Sequence, residues 1–88
     1  MEGYWLFAFD SPHAAISAQR LLSGCGAVVM PTLRNITASC GMSLRVKDGS
    51  IEEAKRIMRA SRLFPLLLYR LYRVEQEGKE TRCTQIEL

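Results

Sequence analysis

The 88-residue chain has little of what staples small domains together. It carries three cysteines, an odd number that cannot all pair within one chain. A secreted disulfide scaffold has an even and denser set. Cys25, Cys40 and Cys83 are therefore expected as free thiols in a reducing compartment. The only histidine, His13, stands far in sequence from any cysteine and no C-x-x-C step occurs, which argues against a zinc or other metal site. With 6 Gly and 3 Pro, the composition excludes collagen-like and low-complexity chains. No apolar run approaches the roughly 20 residues of a membrane helix. The longest, Leu63 to Tyr69, is interrupted by Pro65 and followed by Arg70 and Arg73. The opening Met1-Glu2-Gly3-Tyr4-Trp5 lacks the basic stretch of a signal peptide. Motifs for phosphate cradling, serine hydrolysis and dinucleotide binding are missing too, so no cofactor is expected. These absences predict one cytoplasmic domain over residues 1–88, because a second would have too little surface to bury.

What is present suits a compact fold, with 48% hydrophobic and 24% charged residues. The net charge of +3 permits nucleic-acid contact without arguing for it. Its distribution is uneven. Between Ile51 and Val74 the basic residues Lys55, Arg56, Arg59, Arg62, Arg70 and Arg73 stand against only Glu52 and Glu53. An ordinary solvated face or a surface for an acidic partner would both look like this.

Tyr4 to Phe9 is short, aromatic and aliphatic, as a buried strand is. Asp10-Ser11-Pro12 then starts a helix, with Ser11 as cap and Pro12 at the first helical position. Ala14, Ala15, Ala18, Leu21 and Leu22 make its apolar face, and Gly24 is expected to end it. Ala27 to Met30 is a second strand, closed by Pro31. Thr32 to Ser39 is polar, without clean periodicity, and predicts a loop. Met42, Leu44 and Val46 alternate with Ser43, Arg45 and Lys47, the pattern of a half-buried strand. Asp48-Gly49 is a turn. Ser50, with Glu53 placed for a capping box, opens a second helix whose inner face is Ile51, Ala54, Ile57 and Met58. Leu66 to Val74 suits a strand, although Pro65 would also allow a third helix. Glu77-Gly78-Lys79 then turns the chain into a last strand from Thr81 to Glu87. The order is β-α-β-β-α-β plus one strand. It predicts an α+β, ferredoxin-like antiparallel sheet with two helices on one face and an extra C-terminal strand.

That order gives Pro31 to Gly41 a location. The third strand runs antiparallel to the first, so its beginning and Cys40 lie where the first strand ends and the first helix starts, near Ser11, Pro12 and His13. A helix N-terminus and a nearby Arg34 favour a thiolate. A cysteine of pKa about 8.5 is only a few per cent ionised at pH 7, and lowering it by roughly 1.5 units ionises about half, for about 2 kcal/mol. Gly41 leaves space beside the sulfur and offers its amide to an anion. The bland alternative is a buried space-filling cysteine. Cys25, between Gly24 and Gly26, suits a turn or packing position. Cys83 on an edge strand suits a resolving thiol, and His13 an exposed residue able to approach Cys40. Tyr4, Trp5, Phe7 and Phe9 suit core and sheet positions better than a base-stacking platform.

The segments Tyr4 to Ala15, Met30-Pro31-Thr32-Leu33-Arg34 and Ser39-Cys40-Gly41-Met42-Ser43-Leu44-Arg45 resemble the small selenium/sulfur carrier-like proteins over roughly residues 4–72. The resemblance implies that Cys40 is the carrier sulfur, with Arg34, Ser39 and Gly41 shaping its surroundings. It implies a carrier more than a stand-alone enzyme. Its partners would be a sulfur or selenium donor such as a cysteine desulfurase and an acceptor enzyme. A second reading is a non-catalytic, homodimeric interaction or small-ligand module in which Cys40 only packs. A third is a weak nucleic-acid binder using Lys55, Arg56, Arg59 and Arg62.

Overall fold

Alternation along the first eight described residues produces a strand with two different faces. The computed structural model describes residues 2–32, 41–61 and 69–87. The elements are β1 (Glu2–Phe9), α1 (Pro12–Leu21), β2 (Val28–Pro31), β3 (Met42–Val46), α2 (Ile51–Ala60), β4 (Tyr69–Glu77) and β5 (Glu80–Ile86). The fold is a mixed α and β arrangement of five antiparallel strands in one sheet with two helices. Strand order is β2-β3-β1-β4-β5, so the sheet departs from a simple four-stranded βαββαβ by β5 pairing outside β4.

β1 is the central strand. Phe7 lies opposite Leu44 of β3 and Leu71 of β4, while Leu6 lies opposite Arg45 and Tyr72. One face carries Phe7, Phe9, Leu44, Val46, Tyr69 and Leu71 into a single core with Ala15 and Ala18 of α1 and Ile51, Ala54 and Met58 of α2. Both helices thus bury their apolar sides against the same sheet face. The alanines suit α1 to that task, because small side chains let its backbone approach the sheet. On the other face Leu6, Tyr72 and Val74 form a smaller buried cluster with Tyr4, Ala8, Met30 and Cys83 around it.

Local details depart from the sequence expectations in several places, among them β2, which runs Val28–Pro31 and takes in Pro31 instead of ending before it. Gly24 does not close α1. Leu22 is its C-cap, a 3₁₀ turn follows over Ser23–Cys25, and the left-handed residue is Gly26 at φ 68°. Leu21 is exposed, because the buried stripe runs through Ala15, Ala18 and Leu22 and Leu21 lies at its flank. Ser50 makes no side-chain capping bond. It is the last residue of a 3₁₀ turn over Asp48–Ser50 and has helical angles in place of the extended ones typical of a capping residue. Finally, β4 begins within the described residues at Tyr69 and runs to Glu77, three residues beyond the expected end. The expected stretch from Leu66 to Leu68 and the Pro65 helix alternative lie outside the described residues. From Tyr69 to Val74 the strand expectation holds.

An electrostatic tie joins β1 and β4 to the start of α2. The Trp5 indole Nε1–H donates to Asp48 Oδ1 at 2.7 Å, and Arg73 Nη1 donates to the same oxygen. Arg73 also stacks over the Trp5 ring at 5.0 Å, with Lys55 at 5.2 Å. Gly3 belongs to this arrangement, since a Cβ there would collide with the Arg73 guanidinium.

Two predictions follow from the packing and the tie. Leu44→Ala removes a fully buried side chain from the main core and is expected to cost about 2–5 kcal/mol, read as a lower urea midpoint. The Arg73 and Trp5 hydrogen bonds hold the Asp48 carboxyl below the usual carboxylate range. Its folded pKa is therefore below its unfolded pKa. The stabilisation is present at neutral pH and is lost as pH falls from about 3.9 through the lowered value. Asp48→Asn is expected to flatten that acid limb in stability measured against pH; an unchanged limb would assign the dependence to other carboxyls.

Candidate functional site

Pairing brings four chain segments to one end of the sheet. Phe9 closes β1 and lies opposite both Met42, which opens β3, and Tyr69 of β4. Met42 in turn lies opposite Pro31, the end of β2. The row Tyr69, Phe9, Met42, Pro31 therefore marks a single rim. α1 starts at the same rim, because only Asp10 and Ser11 separate Phe9 from Pro12.

The base of the segment between β2 and β3 is tied twice. Thr32 N–H donates to the Gly41 carbonyl at 2.9 Å. The Thr32 and Ser43 hydroxyls are 2.6 Å apart, which satisfies the buried Ser43. Gly41 permits this closeness. A Cβ on it would stand 3.0 Å from Thr32 Oγ1 and 3.2 Å from the Phe9 carbonyl oxygen. The glycine predicted to leave room beside a sulfur thus has a packing role as well.

At the start of α1, Ser11 is in extended conformation and its Oγ accepts from Ala14 N–H at 3.2 Å. Ser11 serves the helix as expected, and that engagement occupies its hydroxyl. No acidic residue lies in the first turn of α1, so the helix supplies no carboxylate against its own positive end. His13 is exposed in that turn. The structure thus gathers Ser11, His13 and Gly41 at one rim. The other three predicted site residues, Arg34, Ser39 and Cys40, lie outside the described residues, as do Arg62 and Phe64.

The two described cysteines have settings that disfavour a thiolate. Cys25 is buried in the 3₁₀ turn after α1, and burial, helped by Glu53 and opposed by Arg56, pushes its thiol pKa up. Cys83 is half-buried on β5 and is pushed up by burial alone. Among the described residues no cluster of three or more His, Cys, Asp or Glu side chains could hold a metal ion. No helix among them is long and apolar enough to cross a membrane.

Sequence reasoning missed Thr32 and Tyr69. Thr32 is one polar residue in an aperiodic stretch, and only the pairing of Pro31 with Met42 sets it against Gly41. Tyr69 is buried on the rim, edge-on to Phe7 at 5.7 Å and tilted to Phe9 at 6.0 Å. Its hydroxyl has no hydrogen-bond partner among the described residues, and burial raises its pKa against the opposing charge of Arg59. No sequence pattern signals an unpartnered phenol.

The family model described as "Putative Se/S carrier protein-like" matches residues 4–70. The chain belongs to that family. The match takes in the rim and both helices, together with the segment holding Arg34, Ser39 and Cys40; it stops at the second residue of β4. Most of β4 and all of β5 are thus outside the matched region of this Se/S carrier-like protein. No curated protein and no solved structure matches the chain.

Replacing Gly41 tests the tie at the base of the segment. Gly41→Ala is expected to destabilise the protein by about 1–3 kcal/mol, the usual cost of overpacking, measured by denaturant unfolding. Thr32→Ala in the same background removes the Oγ1 contact but should relieve less than half of that loss, since the Phe9 carbonyl still blocks the new methyl and Ser43 loses its hydroxyl partner.

Proposed function

We propose that the protein is a sulfur or selenium carrier that holds the chalcogen on Cys40. The observation that carries this reading is the family match over residues 4–70, which includes Cys40. Two features of the rim support it. Gly41, the residue after Cys40 in the chain, packs against the carbonyl of Phe9, and α1 begins three residues beyond Phe9 with no acidic residue in its first turn.

In the proposed step the Cys40 thiolate attacks the terminal sulfur of a donor persulfide, R–S–SH. A bond forms between Cys40 Sγ and that sulfur, the donor S–S bond breaks, and the donor leaves as its thiolate with the bonding electrons. Cys40 then carries –S–SH, which loses a proton to become –S–S⁻. Transfer to an acceptor thiolate repeats the exchange and returns Cys40 as thiolate. Selenium follows the same balance as –S–Se⁻. A cysteine desulfurase is the proposed donor class and an acceptor enzyme the second partner. In this proposal Arg34 and the α1 terminus favour the anion, Ser39 and Gly41 shape the approach, and His13 exchanges a proton with an incoming thiol. This is carrier chemistry rather than a stand-alone enzyme's. It suits a reducing cytoplasm, where all three thiols stay free.

The ferredoxin-like reading of the sheet belongs to this proposal. The consecutive order β2-β3-β1-β4 and the shared core of both helices support it, with β5 as an addition.

Intact-mass measurement after incubation with a desulfurase and either cysteine or selenocysteine, which load the enzyme with sulfur or selenium already at the persulfide level, tests the reading. The protein is expected to gain about 32 Da per sulfur or about 80 Da per selenium atom, and Cys40→Ser to gain neither. Alkylation followed against pH supplies a second measure, with Cys40 expected to react fastest and Cys25 and Cys83 slowly at neutral pH. An unloaded protein whose Cys40 alkylates no faster than Cys25 leaves only the packing module.

A further inference from the structure

Two edges bound the sheet, and they differ. β2 spans four residues and ends at Pro31, which has no N–H to offer a neighbouring strand. β5 runs seven residues, Glu80–Ile86, without proline. Among the described residues no strand pairs with its outer side. A long regular edge of this kind is a template for another strand unless something blunts it.

A row of side chains leads to that edge. On the face away from the helices, Tyr4 lies opposite Val74 and Val74 opposite Cys83. All three belong to one apolar cluster, and the row stops at Cys83, which remains half-buried. Cross-strand pairs of this sort are what stabilise a sheet, and here the last member has no neighbour on its outer side among the described residues.

We propose that β5 pairs antiparallel with β5 of a second copy of this chain, about a two-fold axis at Cys83. The apolar row then continues without a break through the partner's Cys83, the partner's Val74 and the partner's Tyr4. Arg82 faces the partner's Thr84, and Thr81 faces the partner's Gln85. Just beyond the strand ends, Lys79 faces the partner's Glu87, and symmetry makes the same contact a second time. Both residues are exposed, and neither has an ion pair among the described residues. Competing registers do worse. An axis at Arg82 sets two guanidinium groups against each other, and an axis at Thr84 breaks the apolar row by setting Cys83 against the partner's Gln85 and Ile86 against the partner's Arg82. Charge complementarity and the apolar row select the same register, and it is isologous, as a two-fold dimer requires. The pairing involves residues beyond the family match and is independent of Cys40 chemistry.

Sedimentation equilibrium on the full chain tests the proposal through a charge swap. Wild type is expected to dimerise as concentration rises. Lys79→Glu and Glu87→Lys each place like charges together twice per dimer and should weaken dimerisation about three- to tenfold. The double variant should return to within about twofold of wild type. In a Cys40→Ser background, diamide, which takes up the two hydrogens and two electrons of a thiol pair, should join Cys83 to its symmetry mate. Facing Cα atoms in an antiparallel pair are about 4.5–5.5 Å apart, within disulfide reach. A wild type that stays monomeric, a double variant that does not recover, or cross-linking as fast in Lys79→Glu as in its parent each overturns the proposal.

Discussion

Burial of β1 on both faces and both edges is the constraint on which the molecule depends. β1 is hydrogen-bonded to β3 on one side and β4 on the other, and the neighbouring residues Leu6 and Phe7 are both fully buried although they point to opposite faces. A strand held this way cannot slip. A one-residue shift would exchange its two faces, sending Phe7 and Phe9 away from the helices and Tyr4 and Leu6 into them. Register in β1 therefore sets the register of β3 and β4, and through them of β2 and β5.

That register gives the two ends of the sheet different chemistry. At one end Trp5, Asp48, Arg73 and Lys55 tie β1, β4 and the entry to α2 with ionic and cation–π contacts. The Asp48 carboxylate there is paired with Arg73 and accepts from the Trp5 indole. At the other end the strands finish or begin, α1 presents its positive terminus, and Thr32, Ser43 and Gly41 make a close backbone junction. The fold thus separates an end tied by charged side chains from an end where α1 begins and the β2 and β3 backbones meet.

The two described cysteines differ for the same reason. Cys25 is closed into a turn beneath the helices, Cys83 lies on an edge beside Val74, and burial raises both thiols. Sequence surroundings separate the three cysteines poorly: glycines flank Cys25 and follow Cys40. The packed structure tells Cys25 and Cys83 apart, by placing the first in the main core and the second at the rim of the small cluster.

Periodicity by itself determined the element types. Alternation in β1 and β3, the alanine stripe of α1 and the apolar stripe of α2 each require a particular period to bury one side, so those elements and the order in which they follow one another were legible before any coordinates. The proline and glycine positions placed most of the turns. Tertiary structure alone decided the rest. Whether Gly24 or Gly26 takes the left-handed angle depends on how the turn after α1 packs Cys25 beneath α2, and whether Ser50 caps depends on the 3₁₀ turn that Asp48 makes while bonded to Trp5 and Arg73. The meeting of Thr32 with Gly41, and the packing of Tyr69 against Phe7 and Phe9, come from partners distant along the chain. Local sequence carries the free energy of single elements, whereas these contacts exist only after two strands have chosen a register, and that choice belongs to the packed sheet as a whole.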